Sequence, residues 1–317
     1  MDLLQKAVKA LEKKRFGMGA ELWKNKLLYL MMAPATVWFA VFCYAPLYGI
    51  VVAFKKYNYA AGILHSPFVG FDNFRFLFNY RGIDFIFLNT IYLNTLFITI
   101  TTLLSVILAV MFVEVRSRKF KRVMQSVAIL PHFVSWAVVS LFIQAFIGTN
   151  GLINQLLITL GGQRYSFYNS AAPWPFIFVL LRVWHGCGFG TVVYIAAITA
   201  FDPSMYEAAK VDGASRFRQI RHITLPLLKP TVLILTIMNV GGIFRGDFGM
   251  IYSMVRDNAA LYATTDVVDT FVYRALRQMN DLGMSTAVSL LQSVVGFALV
   301  MMTNAMARKV NPDSALF

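Results

Sequence analysis

The sequence predicts an all-α integral membrane protein with six transmembrane helices, and three observations lead to this fold class. Of its 317 residues, 58% are hydrophobic and only 14% are charged, whereas a soluble domain carries roughly a quarter charged residues. Six apolar segments are long enough to cross a hydrocarbon core of ~30 Å as helices. Lys and Arg are concentrated in alternate connections between these segments, as expected when a chain crosses a membrane repeatedly.

Four of the six segments contain no charged residue, and two contain polar interruptions. Residues 173–200 carry Arg182 and His185, and residues 230–254 carry Arg245 and Asp247. The first segment far exceeds the roughly 7–15 apolar residues of a signal peptide and lacks a cleavage site, so it is interpreted as a span. The uncharged segments are residues 27–54, 88–113, 123–147 and 282–307.

The distribution of Lys and Arg predicts that both termini are cytoplasmic. Nineteen of these residues lie in residues 1–26, 114–122 and 201–229 and in the tail, whereas eight lie in the connections on the other side. An even number of spans also places both ends on one side. The net charge of +14 is explained by this topology and by attraction to anionic lipid, so nucleic acid is not an expected partner.

Residues 1–26 form a basic segment before the six-span domain, which covers residues 27–310. Leu3, Leu4, Val8 and Leu11 alternate with lysines in this segment. It is interpreted either as an amphipathic helix at the cytoplasmic interface or as a basic tail, and the residues leave both open.

The cytoplasmic connection after the fourth span is too polar to cross the membrane and predicts two short helices that meet at a corner. Asp202 caps a helix that begins at Pro203. Gly213 ends this helix, because glycine adopts a positive φ without steric cost, and Ser215 caps the second.

Pro226 and Pro230 are expected to end this second helix and lead into the fifth span. Such a helix pair fits a groove on a cytoplasmic partner or rests on the lipid headgroups. Residue chemistry alone leaves these two interpretations open.

A specific motif lies within this connection. Glu207-Ala208-Ala209 is followed by Gly213 and then by Ile223, Leu225 and Pro226. The segment resembles, at every fixed position and at the same spacing, the EAA loop of ABC importer permeases. In that family the loop binds a cleft on the nucleotide-binding subunit, which makes residues 203–229 the expected coupling loop. The implied ATPase-coupling residues are Glu207, Ala208, Ala209, Asp212, Gly213, Ile223, Leu225 and Pro226.

Other segments are similar to binding-protein-dependent sugar permeases of the maltose and polysaccharide type, namely residues 68–74, 241–250 and 260–276. The resemblance implies a type I ABC importer permease fold in a bacterial inner membrane. It also implies a second, similar permease chain, two ATPase subunits and an extracytoplasmic substrate-binding protein. The expected cargo is an oligosaccharide, and alginate- or pectin-derived acidic fragments are one interpretation.

The sequence contains no G-x-x-x-x-G-K-[ST] phosphate loop and no catalytic or metal-binding cluster. The chain is therefore expected to be a non-catalytic subunit without a cofactor of its own, with Mg-ATP on partner subunits. The alternatives are an ABC permease for a non-sugar solute and a self-sufficient secondary transporter, whose expected internal repeat is not evident. An integral-membrane enzyme lacks the residues it would need.

Polar residues inside the fourth and fifth spans predict a translocation path, because charges in a span usually face a cavity or a partner. The glycines near Arg245 favour a bend or partial unwinding there. Asn, Arg and Asp side chains suit sugar hydroxyls, aromatic faces suit the C–H side of a ring, and arginines suit acidic sugars. Alternatively, Arg245 and Asp247 pair with each other or with a neighbouring subunit. The candidate path residues are Arg182, Trp184, His185, Asn239, Arg245, Asp247 and Tyr252.

The outer connection 255–281 carries charges of both signs. It is interpreted as a solvated loop, or as a group that meets the substrate-binding protein.

Overall fold

The computed structural model describes residues 23–79 and 82–310, and these ranges are helical apart from short connections and one isolated bridge between Lys55 and Phe68. The α-helices in chain order are α1 (Lys26–Phe39), α2 (Gly62–His65), α3 (Asp72–Asn79), α4 (Ile83–Glu114), α5 (Arg118–Ile129), α6 (Trp136–Ile147), α7 (Leu152–Thr159), α8 (Trp174–Thr199), α9 (Pro203–Val211), α10 (Arg216–Gln219), α11 (Leu225–Val240), α12 (Phe248–Val255), α13 (Tyr262–Thr265), α14 (Val268–Arg277) and α15 (Leu282–Val310). Turns of 3-10 helix cover Ala45–Phe54, Leu130–Phe133, Phe167–Asn169 and Ala259–Leu261, and π-helical turns cover Ala40–Tyr44 and Ile220–Thr224.

Six helical segments in the described ranges are long and apolar enough to cross a membrane. Four of them agree with the prediction to within a few residues, whereas the third and the fifth differ. The six segments are Lys26–Phe54, Ile83–Glu114, Trp136–Thr159, Trp174–Thr199, Arg216–Val240 and Leu282–Lys309.

The chain divides into two compact units, residues 1–52 and 53–317. In the first unit, helix α1 and the π-helical turn after it contain no buried residue. Large apolar side chains such as Leu27, Leu30 and Phe42 are exposed, which suits a lipid environment or an apolar partner. The predicted amphipathic character of residues 1–26 falls almost entirely on residues 1–22, which lie outside the described residues.

The third span was predicted as an uninterrupted helix over 123–147, and this is wrong. Helix α5 ends at Ile129, and a 3-10 turn that contains Pro131 follows. Ser135 is extended and its side chain accepts a hydrogen bond from the N–H of Val138, so it caps a new helix, α6. The missing N–H of proline and the serine cap together break the helix.

The fifth span was predicted over 230–254 with a separate short helix before it, and both boundaries are wrong. Helical structure runs from Arg216 through the prolines to Val240. A π-helical turn at Ile220–Thr224 directly precedes Pro226. We attribute the uninterrupted helix to this wider turn, because π-bulges and prolines are the usual sites where a helix adapts or bends.

The outer connection was interpreted as a solvated loop, but part of it belongs to the core of the second unit. Asp266 and Arg274 are both buried and form an ion pair with a distance of 2.5 Å between Nη2 and Oδ2. Val267 and Phe271 are fully buried beside them. Helix α14 is therefore a structural element of the bundle.

Helix α8 packs along α4, and small residues set the distance between α8 and its neighbours. Gly188 lies directly against the backbone of Ala128, and Gly190 lies against the hydroxyl of Ser105. The Ser105 hydroxyl also donates a hydrogen bond of 3.0 Å to the carbonyl of Cys187. This close packing brings α4, α8 and α11 around a shared polar cavity.

Candidate functional site

A cavity of 660 Å³ lies between helices α4, α8 and α11 and the segment that joins α11 to α12. That segment, residues 241–247, is not helical and is called the unwound segment below. The glycines had predicted such a break. The polar side chains that line the cavity are Asn94, Thr101, Thr102, Ser105, His132, Arg182, His185, Tyr194, Asn239, Arg245 and Asp247.

The cavity brings together five of the seven candidate path residues and excludes two. Arg182, His185, Asn239, Arg245 and Asp247 all line it. The two aromatic candidates lie elsewhere. Trp184 is half exposed outside the lining, and Tyr252 packs between Phe248 and Tyr273.

Asp247 pairs with a residue of another span rather than with Arg245. Its Oδ2 atom lies 2.7 Å from Nη1 of Arg182, while its Oδ1 atom accepts a hydrogen bond of 3.1 Å from the N–H of Met250. Asp247 thus caps helix α12 and compensates the charge of Arg182 at the same time.

His132, His185 and Phe189 line the cavity, and each histidine stacks on an aromatic ring. His185 stacks on Trp136 with ring centroids 4.2 Å apart, and His132 stacks on Phe189 with centroids 4.4 Å apart. Nε2 of His185 lies 3.1 Å from the carbonyl oxygen of Val134. His185 therefore has the local hydrogen bond that was expected for a histidine in a span, and it also lines the cavity.

The unwound segment is held in place by side chains from other helices. Nδ2 of Asn94 donates to the carbonyl oxygens of Ile243 at 3.0 Å and Arg245 at 3.1 Å. These two carbonyl groups have no helical partner after α11 ends, so the amide of Asn94 satisfies them.

Two further side chains hold the same segment from α14 and α15. Nε2 of Gln292 donates to the carbonyl oxygen of Phe244 at 2.7 Å, and Asp269 accepts the N–H of Gly246 through Oδ2. Burial raises the pKa of the Asp269 carboxyl, while the hydrogen bonds from Gly246 and Gln292 and the charge of Arg245 act in the opposite direction. We call Asn94, Gln292 and Asp269 the anchoring residues.

Sequence reasoning missed the contribution of helix α4 to the cavity. Asn94, Thr101 and Ser105 are seven and four residues apart, so they share one face of the helix. This spacing of polar residues in an otherwise apolar span was the available signal. The hydroxyl of Thr101 is buried and has no hydrogen-bond partner among the described residues.

The first helix of the coupling loop forms as its local sequence predicted, and the second starts after its predicted cap, Ser215, but continues into the fifth span. Asp202 accepts a hydrogen bond of 2.9 Å from the N–H of Ser204 and caps α9, and Gly213 has a φ of +74°. The hydrogen bond from Ser204 lowers the pKa of the Asp202 carboxyl. The hydroxyls of Tyr206 and Thr224 lie 3.1 Å apart and tie α9 to the following helix.

The loop presents apolar side chains that no described residue covers. Val211 is 89% exposed and Phe217 is 71% exposed, and Glu207, Ala208 and Gly213 are exposed in the same loop. An exposed patch of this kind is typical of a protein–protein contact.

Comparison with known proteins identifies the chain. Residues 101–312 match the family described as the inner membrane component of binding-protein-dependent transport systems. The chain belongs to this family. The permease family inferred from Glu207 to Pro226 is thus confirmed, and membership of this family argues against a self-sufficient secondary transporter or a membrane enzyme.

A curated relative and two solved structures cover nearly the whole permease. The present chain is 37% identical to the polygalacturonan/rhamnogalacturonan transport system permease protein YteP of Bacillus subtilis, and the alignment covers 95% of this chain and 94% of YteP. A permease chain in the crystal structure of a bacterial ABC transporter that imports the acidic polysaccharide alginate superimposes with a TM-score of 0.84 at 31% identity. The match covers 93% of this chain and 99% of that chain. In a second structure the alginate transporter is in complex with an alginate pentasaccharide-bound periplasmic protein, with a TM-score of 0.82 at 31% identity. That match covers 92% and 98% of the two chains.

The predicted fold class is confirmed by these similarities. The permease is a multi-pass, all-α membrane protein with the type I ABC importer fold. The coupling residues and the path residues have the positions described above, and their roles remain predictions.

Proposed function

We propose that this permease forms half of the translocation path of an ATP-driven importer of oligosaccharides, including acidic fragments of plant or algal polysaccharides. A second, similar permease chain completes the path. Two ATPase subunits carry Mg-ATP, one of them docks on the coupling loop of this chain, and an extracytoplasmic protein delivers the substrate. The complex lies in a bacterial inner membrane with both termini of this chain in the cytoplasm.

The coupling loop is the single observation that carries the ATP-driven part of the proposal. Val211 and Phe217 are exposed on either side of Gly213, so the loop offers an apolar ridge to a groove on another protein. The chain has no phosphate loop of its own, so the energy source must be a separate subunit. Helix α10 continues directly into the fifth span. One continuous helical segment therefore connects the coupling loop to the cavity.

The cavity and the relatives support the choice of substrate. The lining combines Asn and Thr side chains, which suit sugar hydroxyls, with Arg245, whose guanidinium suits a carboxylate. YteP is named for polygalacturonan, a polymer of a uronic acid, and the solved neighbour imports an acidic polysaccharide. The alginate complex with its periplasmic protein supports a binding-protein partner here.

Uptake into proteoliposomes tests the proposal. The permease is reconstituted with its companion permease, ATPase and binding protein, and oligogalacturonates, alginate oligomers, neutral oligosaccharides and glycerol 3-phosphate are offered. ATP-dependent uptake of the acidic oligosaccharides is expected. Uptake driven by an ion gradient in this chain alone, or uptake restricted to the phosphate ester, contradicts the proposal.

A further inference from the structure

The two arginines of the cavity differ in whether their charge is already compensated. Arg182 is paired with Asp247 at 2.7 Å. Arg245 is exposed at the cavity wall, and its guanidinium makes no hydrogen bond or ion pair with any residue in the described ranges. A guanidinium without an ion-pair partner in a polar cavity is suited to bind an anion in a bidentate geometry.

Carboxylates near Arg245 are already engaged with other groups. Asp247 binds Arg182 and caps helix α12, and Asp269 accepts the N–H of Gly246 and the side-chain amide of Gln292 at 3.2 Å. The charge of Arg245 acts on Asp269, but no oxygen of Asp269 lies within ion-pair distance of it. The guanidinium therefore retains its donors for a ligand.

The backbone that carries Arg245 is fixed from three helices. The anchoring residues bind the carbonyl groups of Ile243, Phe244 and Arg245 and the N–H of Gly246. Four consecutive residues of an unwound segment are thus held in one conformation. Such preorganisation lowers the entropic cost of binding, because the loop does not have to be ordered by the ligand.

We propose that Arg245 binds a carboxylate of the passing oligosaccharide, that the anchoring residues position it, and that Arg182 is reserved for the structural pair with Asp247. Thr101 and Asn239 line the same cavity, and the amide of Asn239 suits the hydroxyl groups of the sugar ring. This inference rests on the proposed function, since it assigns the acidic part of the substrate to one residue.

A measurement of oligosaccharide binding to the transporter tests the role of Arg245. The substrate-binding protein is left out, so that its own selectivity does not contribute. The complete transporter is placed in lipid nanodiscs without the binding protein. Binding of a trigalacturonate and of its carboxyl-reduced, neutral counterpart is measured by titration calorimetry or saturation-transfer NMR. Arg245→Gln is expected to weaken binding of the acidic trisaccharide about tenfold or more, which is the loss of one charge-assisted hydrogen bond, and to leave the neutral one within about twofold.

Three variants separate a binding role from a structural one. Compared with Arg245→Gln, Arg245→Lys should restore part of the affinity for the acidic trisaccharide, because lysine keeps the positive charge but lacks the bidentate geometry of the guanidinium. Asn94→Ala should lower the preference for the acid over the neutral sugar, because it frees the backbone at Arg245. Arg164→Gln removes an exposed positive charge outside the cavity and should change neither affinity.

The outcomes distinguish the inference from the proposed function. Equal losses for both sugars in Arg245→Gln, or no loss for the acid, overturn the assignment of Arg245 while the importer function stands. Wild-type transporter that binds the neutral sugar as tightly as the acid also overturns it. Wild-type transporter that binds neither sugar and imports no oligosaccharide contradicts the proposed function itself, and the inference with it.

Discussion

The guanidinium of Arg182 lies 2.7 Å from the carboxylate of Asp247 and joins the fourth span to the start of helix α12, 65 residues further along the chain. The Arg182 side chain is 40% exposed and that of Asp247 is 18% exposed, so solvent weakens their attraction. A double-mutant cycle of Arg182→Gln and Asp247→Asn should give a coupling energy of about 0.5–1 kcal/mol. Thermal unfolding of the purified complex in detergent measures it, and a coupling of zero would show that the pair contributes nothing to stability.

Replacing Gly213 with alanine should uncouple the coupling loop. Its φ of +74° places it in the left-handed region, where a side chain costs about 1–2 kcal/mol. We expect ATP-dependent uptake to fall while membrane insertion is retained. Gly161→Ala is the matched control, because Gly161 has a φ of +82° with no neighbouring atom to hinder a Cβ and lies between α7 and α8, outside the coupling loop. A similar loss of uptake in both variants would point to general strain rather than to coupling.

Gly188→Ala should destabilise the bundle by about 1–3 kcal/mol. A Cβ at this position would overlap the carbonyl group of Ala128, so helix α8 and helix α5 would have to separate. Gly186→Ala is the control, since its Cβ would meet Cγ2 of Thr101 at an ordinary 3.5 Å. Thermal unfolding compares the two, and equal stabilities would mean that the contact with Ala128 relaxes without cost.

The buried pair of Asp266 and Arg274 should be costly to break. Arg274→Ala leaves the Asp266 carboxylate buried without its partner, an effect of about 3–5 kcal/mol, and it also removes a guanidinium that lies 4.4 Å from the ring centre of Tyr262. Arg277→Ala, at an exposed position of the same helix, should stay within about 0.5 kcal/mol of the wild type. Chemical denaturation of the complex measures both.

The stability of helix α9 should depend on pH through its cap, Asp202. The pKa of Asp202 is lowered from its ordinary value of 3.8 because the carboxylate accepts the N–H of Ser204. A depressed pKa of an acid means that its stabilising contribution is present above the ordinary value and is lost as the pH falls through the folded-state pKa. Hydrogen exchange of α9, corrected for intrinsic rates, should show declining protection over that range.

Asp202→Asn tests the cause of this pH dependence. Asparagine caps a helix about as well as aspartate but does not titrate. The decline in protection should therefore disappear in this variant, and an equal decline in both proteins would assign it to another group.

Local signals in the sequence were sufficient for much of the fold. Asp202, Gly213 and Ser215 act on their own neighbours, through capping bonds and a positive φ, so the first helix of the coupling loop and the start of the second were predictable. The glycines between Val240 and Phe248 likewise marked the unwound segment. Span boundaries near proline were less predictable, because a π-helical turn before Pro226 is an adjustment of the backbone that leaves no pattern in the residues.

Contacts between spans explain what the sequence did not reveal. Arg182 and Asp247 form a pair only because α8 packs beside the unwound segment, and no spacing along the chain encodes this. The same holds for Asn94 and Gln292, whose roles depend on reaching carbonyl groups about 150 and 48 residues away. Trp184 was a reasonable candidate by composition, but its direction around the helix excludes it from the cavity.

The helix that begins at Arg216 has a mechanical consequence. Its 25 residues span about 37 Å. The helix starts with Arg216, which lies 3.9 Å from the carboxylate of Glu114, and its last turns line the cavity. Under the proposed function, a movement applied at Arg216 is either transmitted along the helix to Asn239 or absorbed at the π-helical turn Ile220–Thr224. The stiffness of that π-helical turn would then set how much of the movement reaches the cavity.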